Sequence, residues 1–574
     1  MDAWGSFLDD AGRVLDAALQ ALGHDGERPP LEAPPDADMG DVGMPCFQLA
    51  KTLKKSPVQI AQDIAAQVEA TGWIAKAAAV GPYVNLWIDG QRLARRVFSD
   101  PEVAMHAPGK PGKVLLEHTS ANPNGPLHVG RARNPILGDT LARMMRAAGH
   151  DVETQYYMDN LGRQVALLWY GARNIHPDSL EPAARDKPDH DLVRYYQAAN
   201  ERMESDPAVA AEVKGLVARL ETADEELLAD VREVYERCFD GMRQSLERMG
   251  VHHDAIKDES DLVAGGDVED TIARLKKSPR ASVEDDGANF LDLSAELEGN
   301  KSTKFFFTRR DGTSVYATRD VAYHKWKAEQ VGAEGRLVNV LGEDHRLQSL
   351  QVSVALEELG HRRPDVVFYA FVGLPEGKMS TRANRVVFLD DLLDEAVARA
   401  EAAVRERRAD ELSDEQIRAI AEAVGIAAIR YNIAKVQPEK PIQFRWEEAL
   451  DFDGDSAPYL MYAYARAASL LRRAEDAGLV ADDGRMGPGE ERLARALARF
   501  VPTVEDAARR AAPHRMCAYA IGLAGAFNEY YRDHPVLACE DEEVQGVRLA
   551  AVKAAAHGLR RCLEALGLPV LDAM

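Results

Sequence analysis

The chain has 574 residues, 46% of them hydrophobic and 29% charged, a length at which one hydrophobic core stops growing and two to four domains are expected. No apolar run approaches the roughly 20 residues of a membrane helix, and acidic residues precede the first apolar run, the wrong order for a secretory signal, so neither a membrane protein nor a secreted one is expected. Five scattered cysteines with no Cys-x-x-Cys pair argue against a disulfide framework or zinc ribbon and for free thiols in the cytoplasm; the net charge of −24 alone argues against a nucleic-acid partner, although a local basic stripe would still attract a polyanion.

Helical spacing of Phe7, Ala11, Val14, Leu15, Ala18 and Leu22 predicts a helix at the start of the chain. A loop rich in proline and acid follows from Arg28 to Asp38, and a helix is expected from Pro45 to Leu53. Ser56-Pro57 supplies the N-cap serine and first-turn proline of a second helix. Val80 to Ile88 reads as a strand closing a small α+β unit. At Lys113 the texture changes: Val114-Leu115-Leu116 is a short apolar run, then comes a loop with Pro123, Gly125 and Pro126, then a helix with Leu137, Leu141, Met144, Met145 and Ala148 on one face. Strand, loop and helix in this order build a doubly wound sheet. Long charged helices from Asp189 to Met249 read as an insertion between two halves of that sheet. Strand-like tracts return at Lys304 to Thr308, Leu337 to Leu341 and Val366 to Phe371. Beyond the charged stretch Arg405 to Asp414, helix follows helix, as in a separate bundle.

The loop before the first sheet helix contains His128-Val129-Gly130-Arg131. Glycine lets backbone approach a ligand, the helix N-terminus offers unpaired N–H groups, and imidazole can donate to phosphate oxygens, a set that suits ATP. A turn glycine beside a surface histidine is the plainer reading of those four residues alone. Far downstream, Gly373 to Gly377 leads into Lys378-Met379-Ser380-Thr381-Arg382, where two cations could neutralise a leaving pyrophosphate or simply mark a basic surface loop. Between them, Leu341-Gly342-Glu343-Asp344-His345 ends a strand, the place where such sheets bind ligands.

In order and separation, Ala121 to Arg131 resembles the HIGH motif and Lys378 to Arg382 the KMSKS motif of class I aminoacyl-tRNA synthetases, with Gly342, Asp344 and His345 in agreement. The run Glu117-His118-Thr119-Ser120-Ala121-Asn122-Pro123-Asn124-Gly125-Pro126-Leu127-His128, with Tyr316-Ala317-Thr318-Arg319-Asp320, is similar to the arginyl members of that class. Gly454 to Arg466 resembles their anticodon-binding helical domain, and the first 105 residues resemble their N-terminal tRNA-contacting module. The resemblance covers essentially the whole chain. It implies an α/β fold with a Rossmann-like doubly wound parallel sheet at 109–395, a helical insertion near 189–250, a small N-terminal α+β domain at 1–108 and an all-helical anticodon-binding bundle at 396–574.

The implied reaction uses ATP to activate L-arginine as arginyl-adenylate, then transfers it to the 2′-hydroxyl of the terminal adenosine of tRNA(Arg). It needs no side-chain nucleophile, only positioning and charge stabilisation. By resemblance His128, Arg131 and Lys378 are catalytic, and His128, Gly130, Arg131, Gly342, Asp344, His345, Lys378, Met379 and Ser380 bind ATP. Mg²⁺ arrives with ATP, and no dedicated protein metal site is expected. A guanidinium offers five donors and no acceptor, so its pocket must supply carboxylates and neutral oxygens; the resemblance gives Glu117, Ser120, Asn122, Tyr316 and Asp320. Asp320 could instead be a helix-start residue, and Glu117 could pair with a surface base. For tRNA the bundle offers Tyr459, Tyr462, Tyr464, Arg466, Asn528, Tyr530, Tyr531 and Arg532, aromatic faces and cations that suit unpaired bases and phosphates, although aromatics at helical spacing also make core. A monomer is expected.

Two positions depart from the family pattern. Arg131 stands for the last histidine of the first motif, and Thr381 for the second lysine of the other, leaving Arg382 and Arg385 as candidate replacement cations. A synthetase for another amino acid and a catalytically silent tRNA-binding paralogue therefore stay open as alternatives.

Overall fold

The computed structural model describes residues 2–297, 303–373, 388–408 and 410–574. The KMSKS-like stretch Lys378 to Arg382, with Arg385, lies outside the described residues.

Helix α1 (Ala3–Ala21) starts where the Asp2 carboxylate accepts from the Gly5 N–H at 2.9 Å, and its apolar stripe buries Phe7, Ala11, Leu15 and Ala18. The helix expected over Pro45 to Leu53 forms two residues late and is helical over 47–53, as 3₁₀ and then α. Strand β1 (Val42–Pro45) occupies its start, followed by a 3₁₀ turn and a single α turn, Ala50–Leu53, ended by Lys54 at φ 52°. Helix α2 (Pro57–Ala65) has its predicted cap, Ser56 accepting from the Gln59 N–H at 3.2 Å. The strand expected over Val80 to Ile88 is one arm of a hairpin: β2 (Ile74–Val80) and β3 (Tyr83–Ile88) pair antiparallel around Gly81, whose φ of +56° suits a residue without Cβ. The exposed, alanine-rich β2 gave little periodic signal. β1 completes this sheet in the order β1-β3-β2, and helix α3 (Gly90–Ser99) follows it.

The central sheet begins with β4 (Lys113–Glu117). Helix α4 (Arg133–Ala147) returns the chain to β5 (Asp151–Met158). Helix α5 (Arg163–Asn174) leads into the charged insertion: α6 (Pro188–Ser205), α7 (Pro207–Glu221) and α8 (Glu225–Arg248). Strand β6 (Ala255–Asp258) then joins β5. The tract at Lys304 to Thr308 does not enter the central sheet. Its β9 (Lys304–Phe306) pairs antiparallel with β8 (Asn289–Asp292), itself paired with β7 (Ala281–Val283), in a separate small sheet. Periodicity shows that a segment is extended and says nothing of its partner.

Helix α9 (Tyr316–Val331), strand β10 (Arg336–Gly342), helix α10 (Arg346–Glu358) and strand β11 (Asp365–Tyr369) complete the doubly wound half. The order is β11-β10-β4-β5-β6, every neighbour parallel. From β4 the chain winds one way to β5 and β6, and it later adds β10 and β11 on the other side. The carboxyl ends of β4 and β10 thus flank the switch point where such sheets leave a crevice. A short β12 (Val372–Gly373) follows.

Helix α11 (Leu389–Arg408) runs uninterrupted across position 395 and packs on α12 (Asp414–Ala434), which opens with a Ser413/Gln416 capping box. After α12, β13 (Ile442–Gln443) pairs in parallel with β12, tying the start of the bundle to the sheet domain. Helices α13 (Ala457–Asp476), α14 (Pro488–Ala498), α15 (Phe500–Arg509), α16 (Pro513–Asp533) and α17 (Glu542–Leu566) form the remaining bundle. Gln91 of α3 donates to the Glu491 carboxylate at 2.6 Å, joining the N-terminal module to that bundle.

Candidate active site

At the carboxyl end of β4 the chain turns through two consecutive left-handed non-glycine residues, Thr119 at φ 70° and Ser120 at φ 39°, a conformation that costs about 1–3 kcal/mol per residue and persists only where its surroundings enforce it. The turn aims Glu117 and Ser120 into a cavity of about 430 Å³ above the switch point. Ten of the expected site residues line it: Glu117, Ser120, Asn122, His128, Arg131, Tyr316, Asp320, Gly342, Asp344 and His345. They come from the loops after β4 and β10 and from the first turns of α9. Gly130 is not among the lining residues, yet a Cβ there would stand 2.9 Å from His128 Cε1, so a side chain at 130 would displace the imidazole. Lys378, Met379 and Ser380 lie outside the described residues. The residues bordering that segment sit beside the first motif: Phe371 lines the cavity, Phe388 forms a β-bridge with His128, and the Leu389 N–H donates to the Leu127 carbonyl at 2.7 Å.

The carboxylates collect between β4, β5 and α9. Lys327, fully buried, donates to Glu117 at 2.7 Å and to Asn339 Oδ1 at 3.0 Å, and Ser120 Oγ donates to the other Glu117 oxygen at 3.1 Å. The base that Glu117 meets is therefore an interior lysine. Burial alone would raise the Glu117 pKa; the Lys327 ammonium outweighs it and holds the carboxyl below its usual range. Asp320 is no cap, since α9 begins four residues earlier; it faces the cavity and accepts from Gln348 Nε2. Burial, reinforced by the Glu117 charge, pushes it up to about 7. Behind it, Tyr157 stacks on Tyr323 with centroids 4.2 Å apart and donates to Glu259 at 3.1 Å. Glu259 is pushed up to about 8 by burial and then by Asp159, although Arg319 lies 3.0 Å away; burial also raises Asp159. Lys327 answers Glu117 and Arg319 answers Glu259, while Asp320 and Asp159 make no ion pair among the described residues. Asp320 thus presents to the cavity a carboxyl that a bound cation would neutralise.

At the other side stand His128 and Arg131, with Tyr369, Asp344 and His345 beyond. Burial, aided by Arg131, lowers the His128 pKa, favouring neutral imidazole. Helix α4 has no side-chain cap at its start and continues directly from the 3₁₀ turn Val129–Arg131 that carries the first motif.

Thr119, Asn134, Tyr157, Tyr323, His324, Asn339, Gln348, Tyr369 and Phe371 also line the cavity and were not singled out from sequence. Two signals could have found some of them. Tyr323 and His324 lie three and four positions after Asp320 on one helix face, and Gln348 lies three after His345. Tyr157, from a neighbouring strand, carries no such mark.

Among the described residues, one cluster has metal-ligand character, Asp189, His190 and Asp390. Lys187 Nζ already stands 3.2 Å from Asp189 and 2.8 Å from Asp390, and His190 Nε2 is 2.8 Å from Asp390, so the cation of that cluster is a lysine. With Ser245 donating to Asp390 at 2.8 Å, the group clamps the insertion to the start of α11.

On the bundle surface, Arg466 lies over Tyr462 at 4.7 Å and Tyr531 at 5.1 Å and donates to Asn528 Oδ1 at 2.9 Å, so four of the residues expected to meet tRNA form one group, with half-buried Tyr459 on the same helix. Tyr464 and Tyr530 do not belong to it. Both are buried and donate to carboxylates, Asp572 at 2.8 Å and Glu490 at 2.6 Å, so they are core. Arg532 pairs with its neighbour Asp533.

Comparison with known proteins agrees in all parts of the chain. The family model described as tRNA synthetases class I (R), catalytic domain, matches residues 97–446; an arginyl tRNA synthetase N terminal domain matches 11–88; and a DALR anticodon binding domain matches 460–574. A protein of Methanocella arvoryzae named arginine–tRNA ligase is 41% identical over 577 residues, 99% of each chain. One of the same name from Methanothermobacter thermautotrophicus is 40% identical, covering 98% of this chain and 99% of its own. The solved structure of Thermus thermophilus arginyl-tRNA synthetase superposes with a TM-score of 0.83 at 29% identity, covering 99% of this chain and all of that one.

Proposed function

The chain belongs to the class I arginyl-tRNA synthetases, and from that membership we propose how its cavity divides arginine from ATP. The enzyme activates L-arginine with ATP and esterifies it to tRNA(Arg) for protein synthesis. Asp320 receives the guanidinium, with Tyr316, Ser120 and Asn122 as neutral partners and Glu117, held by Lys327, adding field rather than a free carboxylate. The observation that carries this reading is Asp320 facing the cavity with no ion pair among the described residues.

His128 and Arg131 hold the phosphates, Gly130 keeps the imidazole in place, and Gly342, Asp344 and His345 take the nucleoside. The arginine carboxylate attacks the α-phosphate and pyrophosphate leaves. The tRNA 2′-hydroxyl then attacks the adenylate carbonyl, releasing AMP. His128, donating to phosphate oxygen, and Arg131 stabilise the charge that moves onto pyrophosphate, with Lys378, Met379 and Ser380 of the second motif as partners and Arg382 or Arg385 in place of its second lysine. Mg²⁺ would arrive with ATP and supply positive charge to the phosphates, with no protein site dedicated to it. Residues 1–108 and 396–574 would contact tRNA and 109–395 would carry the chemistry, in a cytoplasmic monomer. Pyrophosphate exchange with each of the twenty amino acids, with and without tRNA, tests the reading: exchange with arginine alone is expected, and exchange with another amino acid but not arginine would end it.

A further inference from the structure

We propose that Arg133 and Asn134, the two residues that open α4 behind the first motif, are positioning residues for the reaction, each bracing a different side of the cavity. Arg133 is fully buried, and its guanidinium is bonded to no carboxylate among the described residues. It donates instead to three backbone carbonyls: Nη1 to Ala370 at 2.5 Å and Lys440 at 2.8 Å, and Nη2 to Gln437 at 2.8 Å. Burial lowers its pKa to about 10, which leaves it charged at neutral pH. A cation is costly in such a place unless it does what a neutral group cannot. Here it reinforces a junction that the Ala370 N–H, donating to the Pro438 carbonyl at 2.9 Å, and the β12–β13 pairing also make. Ala370 stands between Tyr369 and Phe371, which line the nucleoside side, and just ahead of β12; Gln437 and Lys440 lie on the segment leading to β13, which pairs with β12.

Asn134 acts on the opposite side. Its Oδ1 accepts from the Thr119 N–H at 2.7 Å, and its Nδ2 donates to the Val340 carbonyl at 2.9 Å. The first bond secures the left-handed Thr119–Ser120 turn that presents Glu117 and Ser120; the second ties that turn to β10 across the switch point. A short planar amide satisfies a donor and an acceptor at once from two separate atoms, which an ionised aspartate at 134, an acceptor only, could not do. Adjacent residues on a helix point about 100° apart, so one turn of α4 reaches the nucleoside wall with Arg133 and the arginine wall with Asn134, while His128 and Arg131 precede it.

This inference rests on the division of the cavity proposed above, and kinetics separate the two. Arginine-dependent pyrophosphate exchange is measured with tRNA present in the full-length enzyme and in the Arg133→Lys and Asn134→Asp variants, with KM for ATP and for arginine, kcat and the thermal transition recorded for each. Arg133→Lys keeps the charge and loses the three-pronged contact; Asn134→Asp keeps the acceptor for Thr119 and loses the donor to Val340. Loss of a charge-assisted or buried hydrogen bond predicts changes of about tenfold or more. Arg133→Lys should raise KM for ATP or lower kcat by that factor with KM for arginine within about twofold, and Asn134→Asp should do the reverse, raising KM for arginine. Equal changes in both substrates for both variants, wild-type kinetics with only a lowered thermal transition, or loss of the transition altogether in Arg133→Lys would each overturn the proposal and leave a structural pair. Failure of the wild-type enzyme to exchange with arginine would instead overturn the division of the cavity.

Discussion

Asp320 shows how burial sets chemistry. A carboxylate in water is ionised at any physiological pH, but here burial and the Glu117 charge bring it to about 7, so a bound guanidinium supplies the counter-charge that Asp320 lacks among the described residues. Because only the ionised form binds, kcat/KM for arginine should fall about tenfold per pH unit below pH 7 and level off above it, and Asp320→Asn should abolish that break while raising KM for arginine about 10–100-fold with little change for ATP. A pH profile of arginine-dependent exchange in both proteins checks this; equal losses for the two substrates would make Asp320 structural. Lys327 gives a stability test. With its ammonium gone, Glu117 is a buried charge with no counterion, so Lys327→Met should cost about 3–5 kcal/mol at pH 7. Since the Glu117 pKa is depressed in the folded state, the stability it contributes is present above the ordinary carboxylate pKa and is lost as pH falls through the folded value. The gap between wild type and Lys327→Met in denaturant melts should therefore narrow in acid. Glu117 and Asp320 were legible as site residues in the sequence; Lys327, an ordinary lysine on a helix, was not, because its burial is decided by what packs over α9.

Among the elements, α4 joins motif to core. Gly138 on this helix lies against His118, and a Cβ there would stand 2.2 Å from the imidazole Cγ. Gly138→Ala should push His118, and with it the strained turn at Thr119 and Ser120, away from the cavity, costing about 1–3 kcal/mol by overpacking and weakening arginine binding more than ATP binding. Thermal melts with substrate titrations measure both; an alanine variant more stable than wild type, as helix propensity alone would give, would show that His118 can yield. The elements with strong periodic or capping signals, such as α1, α2, β4 and β10, stood where the pattern placed them. Those that failed had weak signals or ambiguous partners: the hairpin arm β2, an alanine-rich run with little alternation, and β9, extended as expected but paired elsewhere. The central strands β5 and β6 went unread because Asp151–Met158 mixes polar residues into its run and Ala255–Asp258 is only four residues long.

Across the whole molecule, three regions meet at Arg430 of α12, which is buried, pairs with Asp139 of α4, and donates to the Met249 carbonyl after the insertion at 2.7 Å. The bundle surface around Arg466 is separate from that joint. Arg466→Ala should therefore lower tRNA affinity while leaving tRNA-independent properties such as ATP binding unchanged, and the affinity of the wild-type protein should fall steeply with salt because phosphate contacts release counterions. Filter binding across a salt series in both proteins checks this; a flat response would mean that the acidic surface, with its net charge of −24, leaves no basic stripe for the RNA.

The sequence by itself determined the reaction class and the amino acid, because His128 to Arg131, Gly342 to His345, Lys378 to Arg382 and Tyr316 to Asp320 are local strings whose residue types answer directly to phosphate and guanidinium. Only the tertiary structure decided which charges remain free to act. Glu117 is neutralised by a lysine 210 positions away, Tyr464 and Tyr530 are spent on the carboxylates of Asp572 and Glu490, and Arg133 reaches carbonyls more than 200 positions downstream. Such pairings depend on the folded path of the chain, since neither the burial that sets a pKa nor the partner that satisfies it is written in the neighbouring residues.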